Sequence, residues 1–146
     1  MKVHYASVID WRWKPNILRA NPDFHNHPRY DYALVQVNGN QCIFAQILYI
    51  FRVQYLERTF DLVLVLPLDA PRLANNRGRD GTLRLTRVCP RRRTETIIIE
   101  ANIIIRGGLV AADLASAAGE MLVVDVIDED MWRRLKSVEF ITHARL

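Results

Sequence analysis

The stretch that decides the fold runs from Tyr30 to Val53 and reads YDYALVQVNGNQCIFAQILYIFRV. At its centre lies Asn38-Gly39, a pair that suits a type I′ hairpin turn because such a turn needs a positive φ at both central residues. The runs on either side are rich in β-branched and aromatic residues, which favour extended structure. We therefore predict a β-hairpin that turns at Asn38-Gly39.

More strands are predicted outward from this hairpin. Residues 58–67 (RTFDLVLVLP) read as the next strand, residues 82–88 (TLRLTRV) alternate apolar with polar, and the six isoleucines of residues 94–105 favour extended structure. Arg106-Gly107-Gly108 is expected to interrupt this run. Residues 111–120 are predicted to form a short helix or an ordered loop, and residues 121–128 another strand.

One helix is predicted, at residues 129–138 (EDMWRRLKSV), with Asp128 as its N-cap and acidic residues in its first turn. The chain of 146 residues suits one domain, so we predict a single β-rich domain over residues 1–146. Its fold is expected to be mainly β: a small twisted sheet or partly closed β-barrel with a C-terminal helix.

Composition excludes several classes of protein. Two cysteines, Cys42 and Cys89, cannot build a disulfide framework or a four-cysteine zinc site, which favours a reducing compartment. The N-terminus lacks a continuous apolar run, and the longest apolar runs are too short to span a bilayer. We expect an intracellular protein with no membrane partner, and a nuclear one if its partner is chromatin.

The strongest functional signal is the basic segment, residues 72–93. It carries eight arginines against one acid, Asp80, whereas the whole chain has a formal charge of +4. Arginine suits bidentate contact with phosphate, and a cationic surface attracts nucleic acid by counterion release. The residues predicted to bind nucleic acid are Arg77, Arg79, Arg84, Arg87, Arg91, Arg92 and Arg93. The alternative is a solvated loop whose arginines pair with the acidic residues 128–130 of the same chain.

Two other clusters suggest metal chemistry, and neither is preferred. His25 and His27 lie two residues apart, but no spacing predicts further ligands, so we interpret them as leading into a strand. The carboxylates of Asp125, Asp128, Glu129 and Asp130 could hold magnesium, yet they equally suit a helix N-terminus. No catalytic residue, metal site or cofactor is predicted.

Aromatic residues form two closely spaced pairs, Trp11 with Trp13 and Tyr30 with Tyr32. In an extended segment, residues two apart face the same side. Such faces can build a cage for methylated lysine or a stacking platform for bases, or they can belong to the core. These four residues are our candidate aromatic cage.

Five motifs in fixed order lie between about Asn21 and Lys136: HPRYDYALVQV, FAQILYIF, LVLVLPLDAP, IIIRGGLV and MLVVDVIDEDMWRRLK. In this order they resemble an uncharacterised family of mushroom-forming fungi that is encoded in or beside transposable elements. That resemblance implies a transposon-encoded protein partner and no established activity. More loosely, a β-barrel of this size is similar to the bromo-adjacent homology (BAH-like) domains, which implies chromatin binding.

The sequence therefore favours a non-enzymatic binding module for nucleic acid, DNA in preference to RNA, or for chromatin. The first alternative is a protein-interaction or assembly domain of a transposon-encoded machinery. A metal-dependent nuclease is the second.

Overall fold

The computed structural model describes residues 1–39, 41–70, 85–114, 116, 119–137 and 139–140. The strands are β1 Lys2–Ala6, β2 Trp13–Ile17, β3 Ala20–Phe24, β4 His27–Tyr30, β5 Tyr32–Asn38, β6 Gln41–Tyr55, β7 Arg58–Asp69, β8 Thr86–Pro90, β9 Ile97–Glu100, β10 Ile104–Gly108, β11 Val110–Ala112, β12 Met121–Val123 and β13 Glu139–Phe140. Helix α1 spans Glu129–Ser137, and short 3-10 turns occupy Arg93–Glu95 and Ala101–Ile103. The predicted mainly β class with a C-terminal helix is confirmed.

Within the described residues, nine strands form one sheet, and seven of them follow the order β10-β5-β6-β7-β8-β12-β11 with antiparallel neighbours throughout. Strand β9 also pairs with β7, and β13 runs parallel to the start of β6. Two separate hairpins, β1-β2 and β3-β4, complete the architecture.

The predicted alternative of a partly closed barrel is wrong, because the sheet is open. Its end strands, β10 and β11, are not paired with each other in the described part of the chain. Strand β10 lies instead against the β1-β2 hairpin, where the backbone N–H of Gly107 donates to Asn16 Oδ1 at 2.7 Å. A hairpin therefore covers this edge, which a barrel would close with another strand.

The middle of strand β5 and the first half of β6, up to Ile47, are buried on both faces of the sheet. Val35 and Ile43 belong to one core cluster, which the β1-β2 hairpin and β9 cover. Leu34 and Phe44 belong to a second cluster on the opposite face, where Met131 of α1 packs against them. Burial on both faces explains why these strands read as nearly continuous apolar runs.

The predicted hairpin is confirmed as β5-β6, but its turn lies one residue later than expected. Asn38 is the last residue of β5 and pairs with Gln41, so Gly39 is the first residue of the turn. Gly39 has a φ of +48°, whereas Asn38 is not among the residues with positive φ. Among the described residues of this turn, Gly39 provides the left-handed backbone.

His25 and Asn26 form the turn between β3 and β4. Phe24 pairs with His27, and the two residues between them have φ angles of 53° and 65°. Positive φ at both positions is what a type I′ turn requires, and histidine and asparagine tolerate it better than most residues. His27 opens β4, in agreement with the prediction that the two histidines lead into a strand.

Helix α1 begins where the sequence predicts it. Asp128 Oδ1 accepts a hydrogen bond from the backbone N–H of Met131 at 3.1 Å, which confirms Asp128 as the N-cap. Two other expectations are corrected: Arg106-Gly107-Gly108 continues β10, and residues 111–112 belong to β11. Pairing with β5 and with β12 explains both corrections, because these strands supply backbone partners that local sequence does not show.

Candidate nucleic-acid interface

The structure describes the C-terminal part of the basic segment. Arg77, Arg79 and Arg84 lie outside the described residues, as do all of residues 72–84. Arg87 lies in β8, and residues 91–93 follow that strand directly. These last four arginines differ sharply in what their side chains contact.

Arg91 is bound by a carboxylate of its own chain. Its Nε and Nη2 atoms donate to the two oxygens of Asp69, both at 2.8 Å, and only 16% of its side chain is exposed. These hydrogen bonds raise the pKa of Arg91, although burial opposes them. The backbone N–H of Arg91 also donates to Pro67 O at 3.1 Å. Arg91 therefore fastens the chain after β8 to the end of β7.

Arg87 is also bound internally. Its Nη1 atom donates to Asp113 Oδ2 at 2.6 Å and lies 3.3 Å from Glu120 Oε2, and most of the guanidinium is buried. Ser116 Oγ donates to the same Glu120 carboxylate at 3.1 Å. These contacts connect β8 to the segment after β11 and to the residue before β12. Because the guanidinium groups of Arg87 and Arg91 are both paired within the chain, we leave these two residues out of the candidate phosphate-binding set.

Arg92 and Arg93 are exposed. The backbone N–H of Arg92 donates to Glu95 Oε2 at 3.0 Å, which holds the 3-10 turn of Arg93–Glu95. Within the described residues, no carboxylate forms a salt bridge with either guanidinium. Two adjacent cations are therefore presented to solvent on a turn that Arg91 anchors.

The acidic residues after β12 are engaged by other arginines. Arg106 Nη1 donates to Asp130 Oδ1 at 2.7 Å, its Nη2 donates to Asp128, and Arg134 Nε donates to Asp130 Oδ1 at 2.7 Å. Arg91, Arg92 and Arg93 form no salt bridge with Asp128 or Asp130 among the described residues, so the structural alternative does not hold for these three arginines. For Arg77, Arg79 and Arg84, which lie outside the described residues, it stays a prediction. Arg106 and Arg134 neutralise the two carboxylates that a magnesium site at this position would use.

Asp130 is the most highly connected of these acids. In addition to the two arginines, its Oδ2 accepts from the backbone N–H of Val8 at 2.7 Å, and its side chain is 5% exposed. Burial acts to raise the pKa of Asp130, but hydrogen bonds from Arg134, Val8 and Arg106 outweigh it and hold the pKa below its usual value. Asp130 therefore links α1, β10 and the loop after β1.

Residues that could bind a metal do not converge. Within the described ranges, no three His, Cys, Asp or Glu side chains are grouped so as to hold a metal ion. Cys42 is buried in the second core cluster, and burial raises the pKa of its thiol. His25 contacts the ring of Phe24 edge-on, with ring centroids 4.4 Å apart.

The candidate cage residues lie in different environments. Trp11 and Trp13 are 80% and 72% exposed, on the segment that connects β1 to β2 and at the start of β2. Tyr32 is partly buried against the second core cluster, and its hydroxyl accepts a hydrogen bond from Gln46 Nε2 at 3.2 Å. Tyr30 and Tyr32 line one surface pocket that neither tryptophan lines. The cage stays a prediction.

Sequence reasoning missed two features. Arg106 is 6% exposed on its side chain, and its guanidinium carbon lies 4.4 Å from the centroid of the Tyr5 ring. An arginine before two glycines gave no sign that it would be buried. The second feature is an uncovered apolar face on the β6-β7 hairpin, which the lengths of the two apolar runs could have indicated.

No family model, curated protein or solved structure matches this chain. The resemblances to the fungal transposon-associated family and to the bromo-adjacent homology domains therefore stay predictions. Among the described helical residues, none form a span with the length and apolar character needed to cross a membrane.

Proposed function

We propose that this protein is a non-enzymatic binding module for nucleic acid or chromatin, in which Arg92 and Arg93 contact phosphates. Arg77, Arg79 and Arg84 of the same basic segment lie outside the described residues and stay candidates from the sequence. The observation that carries the proposal is that two adjacent arginines are exposed without a carboxylate partner in the described chain, while their neighbours are paired.

The anchoring of the turn supports this role. Arg91 fixes the backbone immediately before Arg92 by three hydrogen bonds, two from its side chain and one from its N–H. A guanidinium held near its binding position loses less conformational entropy when it meets a phosphate. The anchored turn therefore favours phosphate contact by Arg92 and Arg93.

Contact with phosphates predicts affinity without strong sequence preference. Each contact releases condensed counterions, so the affinity falls as salt rises, and base edges need not be read. We expect duplex DNA to be preferred over RNA. Chromatin is a possible context for the same contacts.

The test is fluorescence anisotropy with labelled duplex DNA, single-stranded DNA and RNA at several salt concentrations. The double variant Arg92→Ala with Arg93→Ala should reduce the slope of log affinity against log salt on duplex DNA by roughly 1.8, since each lost contact removes about 0.9. Its matched control is Arg12→Ala with Arg133→Ala, which removes two exposed charges from other elements. Equal slopes for the two double variants, or wild-type binding that does not depend on salt, would reject the proposal.

A protein-interaction or assembly domain is the second candidate function. It is favoured by large exposed apolar side chains on the β6-β7 hairpin, among them Tyr49, Tyr55 and Leu56. The nuclease alternative is not carried forward, because Arg106 binds the carboxylates on which it would depend.

A further inference from the structure

The β6-β7 hairpin extends beyond the strands that flank it. Strand β5 pairs with β6 only as far as Gln46, and the N–H of Ile47 donates to Asp31 O at 2.9 Å. Strand β9 pairs with β7 only between Leu62 and Val65. Residues 48–64, which we call the arm, form the outer part of this hairpin. Within the described chain, its residues 52–61 form a two-stranded ribbon that pairs with no further strand.

A β-bulge determines which side chains lie on each face of the arm. Ile47 pairs with Val65 but Tyr49 pairs with Leu64, so Leu48 is an extra residue in β6. An extra residue shifts the alternation of side chains by one position. As a result Tyr49 lies on the same face as Phe44, whereas Ile50 lies on the opposite face with Val63.

The face that carries Tyr49 is apolar, and it is partly exposed to solvent. We call it the arm face, and it consists of Tyr49, Phe51, Val53, Phe60, Leu62 and Leu64. Ile98 of β9, opposite Leu64, extends it. Tyr49 and Ile98 are 61% and 60% exposed, so the helix that covers this side of the sheet at Phe44 does not reach them.

The tip of the arm is apolar as well. Leu56 follows Tyr55 in the two-residue turn between β6 and β7; it has a φ of 54° and is 79% exposed. A leucine rarely adopts positive φ, and glycine or asparagine would form this turn with less strain. Leu56 therefore adds exposed apolar surface at the tip of the arm.

Charges on the arm are arranged to leave the arm face neutral. Arg52 and Asp61 lie on the opposite face and bind each other, with Arg52 Nε 2.6 Å from Asp61 Oδ1. On the arm face itself, the charged residues stand at its margins: Arg58 beside the tip and Glu100 on β9, opposite Leu62. The arm face therefore has an uncharged centre, with Arg58 near the tip, where Glu57 of the turn also lies, and Glu100 at its β9 edge beside Leu62.

We propose that the arm face packs against the arm face of a second copy of this chain, with the two arms antiparallel. In the antiparallel arrangement the tip of one arm lies over the base of the other, which brings Arg58 close to Glu100 of the partner subunit. The two-fold axis of the dimer produces this contact twice, once from each subunit. The uncharged centres of the two arm faces pack against each other without repulsion between like charges. The contact deepens the assembly role proposed above and is independent of nucleic-acid binding.

The size of the face suits a dimer. At about 150–250 Å² for each aromatic side chain, the exposed fractions leave on the order of 500 Å² of apolar surface on the arm. A standard protein interface buries about 800 Å² on each partner, so the arm face together with Tyr55 and Leu56 at the tip would supply more than half of it. Patches of this size on soluble proteins commonly mark interaction sites.

The first test measures the oligomeric state by sedimentation equilibrium over a range of concentrations, without nucleic acid. The wild type should dimerise, and Tyr49→Lys with Val53→Lys should abolish the dimer. The matched control is Gln54→Lys with Thr59→Lys, which adds the same charge to the opposite face and should leave the dimer intact. Circular dichroism of each variant verifies that it folds.

A charge reversal tests the antiparallel geometry. Arg58→Glu places like charges together at both ends of the interface, so it should weaken dimerisation by at least about tenfold. Adding Glu100→Arg to that variant should restore the wild-type constant, which a general loss of stability would not allow. A monomeric wild type at all concentrations, a dimer that survives the arm-face lysines, or a failed rescue would overturn the proposal.

Discussion

Gly39 and Gly107 are required by the fold for different reasons. At Gly39 a side chain would meet no atom within 4 Å, but the φ of +48° is one that other residues adopt only with strain. At Gly107 an added Cβ would lie 2.3 Å from Asn16 Oδ1 and 2.8 Å from Leu18 Cδ2. The first glycine is needed for backbone conformation and the second for space.

Gly39→Val should therefore destabilise the protein by about 1–2 kcal/mol, the cost of a left-handed residue with a branched side chain. Gly39→Asn should cost less, because asparagine tolerates this region of φ. Urea unfolding of both variants measures the difference. Equal stability of the valine variant and the wild type would show that the turn can change its conformation at no cost.

Gly107→Ala should cost about 1–3 kcal/mol, because its methyl group displaces Asn16 and weakens the hydrogen bond from Gly107 N–H. The measurement is a double-mutant cycle with Asn16→Ala. Much of the cost of the alanine at Gly107 should disappear once Asn16 is truncated. Additive losses would mean that Asn16 is not the group displaced.

Among the elements, α1 is attached to the sheet mainly through Asp130. Its carboxylate accepts from Arg106 of β10 and from the N–H of Val8, while Met131 packs into the second core cluster. Removing one partner of a buried ion pair leaves the other charge without compensation. The helix should therefore depend on Asp130 far more than on its exposed acidic neighbour Glu129.

Asp130→Ala should lower the free energy of unfolding by about 3–5 kcal/mol. Glu129→Ala, which removes only an exposed pair with Arg133, should cost less than about 1 kcal/mol. Guanidinium chloride unfolding compares them. Similar losses for the two variants would contradict the role assigned to the buried network.

Stability should also fall in acid because of Asp130. Its pKa is held below the ordinary value in the folded protein, so the unfolded state binds a proton at higher pH than the folded state. This contribution is fully present above the unfolded pKa of about 4 and is lost as pH falls through the lowered folded value. Melting temperatures between pH 7 and pH 3 should decline less steeply for Asp130→Asn than for the wild type, whereas parallel curves would assign the acid sensitivity to other groups.

Local sequence patterns predicted individual strands and the helix better than they predicted how these elements pack together. The Asn38-Gly39 hairpin and the helix after Asp128 depend on contacts a few residues apart, so the sequence shows them directly. The open sheet depends on the approach of Asn16 to Gly107, which are 91 residues apart in the chain. The bulge at Leu48 is also invisible in the sequence, because cross-strand pairing alone decides which residue is extra.

The same limit applies to the candidate site. Composition identified a cationic segment, but it could not separate arginines that bind Asp69 or Asp113 from arginines that face solvent. Both carboxylates reach their partners through the tertiary fold. For the molecule as a whole, the described part of this run contains both internally paired arginines and arginines that face solvent, and only the structure distinguishes them.

Folding and binding should consequently respond to different members of residues 91–93. Arg91→Ala leaves the mostly buried carboxylate of Asp69 without its bidentate partner, so it should lower the free energy of unfolding by about 1–3 kcal/mol. Arg92→Ala and Arg93→Ala remove exposed side chains and should change stability by less than about 0.5 kcal/mol. Thermal unfolding checks this half of the prediction.

The salt dependence of DNA binding should be affected by Arg92 and Arg93 rather than by Arg91. Arg91 directs its guanidinium at Asp69, so its loss should leave the salt slope near that of the wild type, provided that binding is measured well below the melting temperature of the variant. Losing Arg92 or Arg93 should each reduce the slope by roughly 0.9. If Arg91→Ala reduced the slope as much as Arg93→Ala did, then Asp69 would release Arg91 when DNA binds, and the anchored turn would not be a rigid part of the interface.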